Sequence, residues 1–276
     1  MSTALAVYHG NFGRVALYKL NKPLATHAHR EGHLVFLVNG VDSAMDISDT
    51  RRPLTANSGT AVNPWQPHNF VPGNTLVGSV FLTLYINPIW FLEFGRSGTS
   101  ALRFGRNTIE VTAQIQRLVS LVTTLLLEDE QGDLFDGYLY ELTRESFEQT
   151  WQWTQGEMAV TEQWQRVSDY RIRNSIRLMK ERIGDELALN DIARESGMSR
   201  PHFYKLFRQN VGLTPNMYLN TLKMETSIGR LTQSADSITE IGFDLGFSSQ
   251  ASFTRFFTSN VGIPPTDYRR ATHFVH

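Results

Sequence analysis

Residues 192–218 read IARESGMSRPHFYKLFRQNVGLTPNMY, and residues 241–268 read IGFDLGFSSQASFTRFFTSNVGIPPTDY. The second stretch repeats the first. Ile192, Gly197 and Ser199 return 49 positions later as Ile241, Gly246 and Ser248. Phe203, Lys205, Phe207, Gly212, Pro215 and Tyr218 return 50 positions later as Phe253, Arg255, Phe257, Gly262, Pro265 and Tyr268. One residue is therefore inserted in the turn, and each copy is one structural unit. Each reads as a short helix, a Gly-centred turn and a second helix. Gly197 and Gly246 stand where a chain leaving a helix turns left-handed, a conformation open to glycine without a Cβ penalty. Ser199 is expected to cap the next helix, with Pro201 in its first turn, and Ser249 to cap the counterpart. Ser237 and Glu240 form a capping box before the second copy, where the first copy has Ala188.

Two helices joined by a tight glycine turn are the helix-turn-helix pattern. Phe203, Leu206 and Phe207 form an inner face in one second helix, and Phe253, Phe256 and Phe257 do so in the other. The opposite faces carry Arg200, His202, Tyr204, Lys205 and Arg208, and Gln250, Thr254 and Arg255. Arg and Gln are the residue types that make bidentate contacts with guanine and adenine edges in the major groove. A single such face reads equally as a solvated helix surface. Two in tandem with matching turns argue for DNA.

Residues 168–272 resemble the DNA-binding domain of the AraC/XylS family of transcription regulators, through 192–231 and through GFSSQASFTRFF and GIPPTDYRR in the second half. The resemblance implies two helix-turn-helix units joined by a linker helix over 215–232, in which Lys223 and Ser227 match the family's usual Arg and Ala. The recognition helices would be 200–209 and 250–258, entering successive major-groove segments about 34 Å apart. The matching contact positions are Arg200, Pro201, Tyr204, Lys205 and Arg208 in the first, and Gln250, Ala251 and Arg255 in the second. Pro201 and Ala251 offer only apolar contact, such as with a thymine methyl. The implied partners are double-stranded DNA, a small-molecule effector, a second copy of the chain in a homodimer, and RNA polymerase. Family habit favours activation over repression.

Charge agrees with this division. The 276 residues carry 26 Lys plus Arg and 27 Asp plus Glu, a formal net charge of −1. Residues 1–167 hold 12 basic and 16 acidic side chains, whereas 168–276 hold 14 basic and 11 acidic, so a polyanion is expected to meet the C-terminal part. No cysteine is present, which excludes disulfides, thiolate metal sites and thiol nucleophiles. The first residues, MSTALAVYHGNFGR, lack a secretory pattern, and the apolar run 80–92 is broken by Asn87 and Pro88. A cytoplasmic protein without membrane contact is expected.

The first hundred residues read as short strands at 15–20, 33–38, 45–47, 60–63, 75–86 and 101–104, punctuated by Asn39-Gly40, Asn57-Ser58-Gly59 and Pro72-Gly73-Asn74. At Asn107 the period changes. Val111, Ile115, Leu118, Val122 and Leu125 form an a/d stripe, with Asn107 or Thr108 as its expected cap. A second helix over 134–165 carries Tyr138, Leu142, Phe147, Trp151 and Trp164. The stripe can pack on its own domain, form a dimer seam, or do both. The expected class is α+β: a sensing and dimerisation domain over 1–165, then an all-α double helix-turn-helix domain over 166–276.

His27, His29 and His33 form H-x-H-x3-H, and His68 follows in NPWQPHNF. On a strand His27 and His29 share a face. HAHREGHLVFLVNG and PWQPHNF resemble the two motifs of a cupin β-barrel over about residues 10–105, with His33 where that family's Glu ligand is expected. Three readings stay open: a metal-bound sensory or catalytic cupin, a metal-free effector pocket lined by His27, His29, His33, His68 and Trp65, or structural histidines. Phe36, Tyr85 and Trp90 are further candidates for an apolar effector site. The loss of the Glu and the habit of such regulators favour the metal-free pocket, with no metal and no cofactor. No G-x-S-x-G, P-loop or dinucleotide fingerprint is present, so no enzyme is expected. The rival is a metal-dependent cupin enzyme, or a metal sensor, tethered to a DNA-binding domain.

Overall fold

The structure is a computed structural model that describes residues 2–87, 90, 103–150, 169–185 and 189–274. By contacts the chain divides into two units, 1–157 with 261–276, and 158–260. The boundary expected at 165/166, Trp151, Trp164, Ala188 and the first half of the expected strand 101–104 lie outside the described residues. The sequence reading kept 261–276 with the helical domain; by contacts these residues sort with the sheets.

The first unit is built on ten strands: β1 (Thr3–Gly10), β2 (Gly13–Leu20), β3 (Gly32–Asn39), β4 (Ser43–Ile47), β5 (Thr50–Leu54), β6 (Ser58–Val62), β7 (His68–Val71), β8 (Ser79–Ile86), β9 (Thr108–Glu110) and β10 (Thr272–Phe274). Seven form one sheet in the order β10-β1-β2-β8-β3-β6-β9, and β5-β4-β7 form a second. The order follows from antiparallel pairing of β2 and β3 on either side of β8. Side-chain alternation then sorts these central strands into two faces. Val15, Leu17, Leu34, Phe36, Leu82 and Leu84 enter the core beneath the helices. Tyr18, His33, Val35, Phe81, Thr83 and Tyr85 point the other way and line a cavity shared with Met45, His68 and Phe70 of the small sheet. This is the expected α+β class with a cupin-like two-sheet barrel.

Helices α1 (Ala113–Leu127) and α2 (Asp133–Thr150) cover the first face. Ile115, Leu118 and Val122 of the stripe are buried in one core with Phe135, Leu139 and Leu142 of α2 and with the sheet. The stripe is thus intradomain core. Val111 precedes the helix. The cap is Thr112, whose hydroxyl accepts from the Ile115 N–H at 3.3 Å. The expected caps are used elsewhere, since Thr108 joins β9 and Asn107 donates to the Ala61 carbonyl. Strand pairing with β6 wins over helix extension there. Phe36 and Trp90, considered for an effector site, also belong to this helix-side core.

The last described segment of this unit is α9 (Pro265–Ala271) with β10, which pairs in parallel with β1. The second unit is all helix: α3 (Tyr170–Glu181), α4 (Leu189–Glu195), α5 (Arg200–Val211), α6 (Pro215–Gln233), α7 (Ile238–Asp244) and α8 (Gln250–Val261). Phe203 and Phe207 of α5 and Phe253 and Phe257 of α8 are fully buried, as the two-faced pattern predicts. Leu206 and Phe256 are only half-buried. Among the described residues no helix is long and apolar enough to cross a membrane.

Candidate nucleic-acid interface and histidine site

The two turns take the conformation their glycines were expected to supply. Gly197 has φ +70° and Gly246 has φ +76°. Their surroundings differ. A Cβ at Gly197 would meet open space, whereas at Gly246 it would lie 2.7 Å from the Gly184 carbonyl oxygen and 2.8 Å from that of Asp185. Gly197→Ala should therefore cost only the left-handed penalty of about 1–2 kcal/mol, and Gly246→Ala distinctly more, because backbone must also move. Urea denaturation of the two variants checks this, and equal losses would refute it.

The caps divide likewise. The box of Ser237 and Glu240 is complete, with reciprocal bonds of 3.1 and 2.7 Å. Ser249 accepts from the Ser252 N–H at 3.2 Å. Ser199 holds the N-cap position of α5, but its hydroxyl makes no capping bond, and Pro201 supplies the preset φ of the first turn.

Arg200, Pro201, Lys205 and Arg208 on α5, and Gln250, Ala251 and Arg255 on α8, are exposed; Tyr204 is half-buried. The helical unit ties most of its other arginines to carboxylates. Arg171, Arg177, Arg182, Arg194 and Arg230 each have an acidic partner at 2.6–2.8 Å. Among the described residues Lys205, Arg208 and Arg255 form no ion pair, and Arg200 lies 5.6 Å over the Tyr204 ring. Both recognition helices thus carry cations left for an outside anion, and Lys180 of α3 is a further exposed one. Two further contacts hold expected contact residues in place. Asn216 donates to the Tyr204 hydroxyl at 3.1 Å, and the Thr239 hydroxyl donates to Gln250 Oε1 at 2.9 Å. Lys223, in contrast, is half-buried over the Phe247 ring, and burial lowers its pKa. Ser227 is buried and donates to the Lys223 carbonyl within α6.

In the first unit the four histidines converge. His27 and His68 face one another across an isolated antiparallel bridge, with backbone bonds of 2.9 Å in both directions. The His68 ring lies 4.4 Å from that of His27, 5.0 Å from His29 and 4.6 Å from His33. All four are 2–8% exposed. His27 Nδ1 donates to the Ala25 carbonyl at 2.8 Å, His29 Nδ1 to that of Glu31 at 2.9 Å, and His68 Nδ1 to that of Gln66 at 2.7 Å. His29 Nε2 and His33 Nδ1 are buried without a hydrogen-bond partner. Burial is the main force lowering all four pKa values, strongly for His29, His33 and His68, and neighbouring imidazoles add to it for these three.

Neither His29 nor Trp65 is among the residues lining the cavity; Trp65 sits in the turn after β6 at φ +61°, its backbone N–H donating to the His29 carbonyl. Tyr85 does line it, and the register explains why. Arg14 of β2, Tyr85 of β8 and His33 of β3 stand side by side across three strands. The Tyr85 ring stacks against His33 at 5.4 Å, and the Arg14 guanidinium lies 3.7 Å over that same ring. Arg14 is buried and donates to the Tyr268 hydroxyl of α9 at 2.9 Å, with Glu31 at 4.0 Å. Burial works against its charge, but Tyr268, Tyr18, Tyr85 and Glu31 hold its pKa well above the usual value. Arg14 and Tyr268 were not foreseen. The only signal was a cation on the same strand face as Ala16 and Tyr18.

Two family models match the chain. An AraC-like ligand binding domain covers residues 21–142, and a helix-turn-helix domain covers residues 192–271. The chain belongs to the AraC family of transcription regulators. The lactose operon transcription activator of Staphylococcus xylosus is 22% identical over 206 residues, 69% of this chain and 70% of its own. The Msm operon regulatory protein of Streptococcus mutans is 31% identical over 94 residues, 34% of each chain. Several curated relatives are matched over about a third of their own length. The crystal structure of ToxT from Vibrio cholerae O395 shares the fold, with a TM-score of 0.56 at 14% identity over 93% of this chain and 96% of that one. These matches are to regulators rather than to enzymes.

Proposed function

We propose that this AraC-family chain is an effector-responsive transcription activator that binds specific sites in double-stranded DNA. The observation that carries the reading is the pair of helix-turn-helix units whose recognition helices hold unpaired cations, in a unit that neutralises most of its other arginines. The reading includes a homodimer, contact with RNA polymerase, a cytoplasmic location and no catalytic activity. Arg200, Lys205, Arg208, Gln250 and Arg255 contact DNA, and the histidine cavity holds the effector. The row His33, Tyr85, Arg14 and Tyr268 offers a route for the response, since Tyr268 lies on α9, which follows recognition helix α8 in the chain. An effector that shifts Tyr85 changes the surroundings of a buried cation, and so biases one arrangement of the DNA-binding units over another.

Genome-wide mapping of bound DNA, followed by footprinting of a recovered promoter, tests the reading. Two protected major-groove segments about 34 Å apart are expected on one face of the duplex. Binding without sequence preference, governed by salt alone, would refute it.

A further inference from the structure

We propose that the two recognition helices select guanine, because their contact positions face the major groove with hydrogen-bond donors only, and that Thr239 is the positioning residue that keeps Gln250 in the donor role. This rests on the reading of α5 and α8 as DNA-contacting helices, and adds which base edge they choose.

The first observation is the make-up of the two helices. Neither RPHFYKLFRQNV nor QASFTRFFTSNV contains Asp or Glu. Carboxylates are the side chains that accept from cytosine N4, so that edge has no such reader. Arg200, Lys205, Arg208 and Arg255 donate and cannot accept. Adenine is read by Asn or Gln, but Asn210 and Asn260 are withdrawn. Their amide nitrogens donate to the Leu206 and Phe256 carbonyls of their own helices, at 2.9 and 2.7 Å. Gln209 stands in the last turn of α5, whereas a recognition helix meets base edges with its N-terminal residues. Gln250, the first residue of α8, is left.

The second observation is how Gln250 is held. Its Oε1 accepts from the Thr239 hydroxyl at 2.9 Å. The place of Thr239 in its helix sets that direction. Threonines inside a helix of this unit donate to the carbonyl four residues back, as Thr221 does to Met217 and Thr232 to Ile228. Thr239 is the second residue of α7, and Ala235, four residues back, lies before the Ser237 cap. Its hydroxyl hydrogen has no helical carbonyl to meet and goes to Gln250. A Gln reads adenine with both amide atoms side by side, Oε1 accepting from N6 and Nε2 donating to N7. With Oε1 turned to α7, the exposed side chain offers Nε2, which only donates. Guanine presents two acceptors, N7 and O6, whereas adenine pairs its acceptor with a donor.

Tyr204 in the first copy is held the same way. Its hydroxyl oxygen accepts from the Asn216 amide at 3.1 Å, which leaves its hydrogen to donate. Asn216, like Thr239, is the second residue of its helix. Each polar side chain at an expected contact position therefore offers hydrogen to an outside acceptor.

The test is selection of binding sites from random duplex DNA by the full chain. The wild-type chain should enrich guanine at positions about one helical turn apart. One of these is the Gln250 pair, identified as the position whose preference Gln250→Ala abolishes. Thr239→Val keeps the side-chain shape, removes the hydroxyl and frees Oε1. It should narrow the guanine-over-adenine preference at that pair by about fivefold or more, the lower end for a good base contact, and leave the other positions and the melting temperature unchanged. Thr239→Ser retains the donor and should retain the wild-type preference. If Thr239→Val fails to fold, Gln250→Glu decides, since a group that only accepts should turn the preference from guanine to cytosine. Adenine or cytosine selected at the Gln250 pair by the wild-type chain, or a Thr239→Val or Gln250→Glu profile equal to wild type, would overturn the proposal and leave the regulator reading standing. A chain that enriches no base at any position would overturn both.

Discussion

Arg255→Ala should weaken binding to a specific promoter site by about 1–3 kcal/mol and relax discrimination at a single base pair. Lys205→Ala should do the same at a second base pair about one helical turn away. The two side chains occupy equivalent places in the repeat, are exposed, and have no ion pair among the described residues, so neither substitution breaks an internal ion pair. The effect should therefore appear in DNA affinity and not in stability. Arg208→Ala offers a contrast. If it meets phosphate, it should lower affinity evenly across sequences and reduce the salt slope by about one. Competition binding against a set of single-base variants separates these cases. A base-preference profile unchanged by both Arg255→Ala and Lys205→Ala would remove these helices as readers.

The repeat was legible because its determinants are local. A left-handed glycine, a buried Phe pair one turn apart and a Pro at a helix start each constrain their own few residues, and their spacing repeats whatever surrounds them. Less was legible where a second element decides. The stripe from Val111 to Leu125 announced a helix, but its period alone did not say what it packs on; Ile115, Leu118 and Val122 share a core with α2. Strand β5 was missed because Arg51, Arg52 and Pro53 depress strand propensity. Its hairpin turns on Ser48 and Asp49 at φ +47° and +65°, the geometry usually signalled by Asn-Gly.

The site shows the same division. That His27, His29 and His68 share a region followed from H-x-H and from the outline match to a barrel. Which ring nitrogen each presents depends on the carbonyls of Ala25, Glu31 and Gln66, and backbone direction is absent from a residue pattern. Arg14 was invisible for a related reason. In GRVALYKL a charged residue alternates with Val and Leu, as in a strand with one wet face. Its burial involves partners distant in sequence, among them the Tyr85 ring and Tyr268 of α9.

Acidification should unfold the sheet unit selectively. His9 is held down to about 3, chiefly by burial and then by Arg14. His27, His29, His33 and His68 are lowered as well, with burial the leading cause in each. The groups facing them are Arg14, Glu31, Tyr18, Tyr85 and Tyr268; Arg14 opposes any added positive charge. Each imidazole is thus neutral in the folded chain and free to take a proton once unfolding exposes it. Below the ordinary imidazole value of about 6.5 the unfolded chain binds more protons than the folded one, so stability falls as pH falls. The loss begins near pH 6.5 and continues toward the depressed folded values, near 3 for His9. Each histidine that stays neutral steepens the slope by up to about 1.4 kcal/mol per pH unit, and five together make this the dominant acid response of the unit. The measurement is urea denaturation of the EDTA-treated chain between pH 7.5 and 5. The midpoint of the sheet unit should drop steeply, and His9→Phe should make that slope shallower by one histidine's share. The helical unit, whose one histidine His202 is exposed, is the internal reference. A sheet-unit midpoint that stays level from pH 7.5 to 5 would mean that these imidazoles are already charged in the folded chain, and the fixed tautomers inferred from their carbonyl bonds would fall with it.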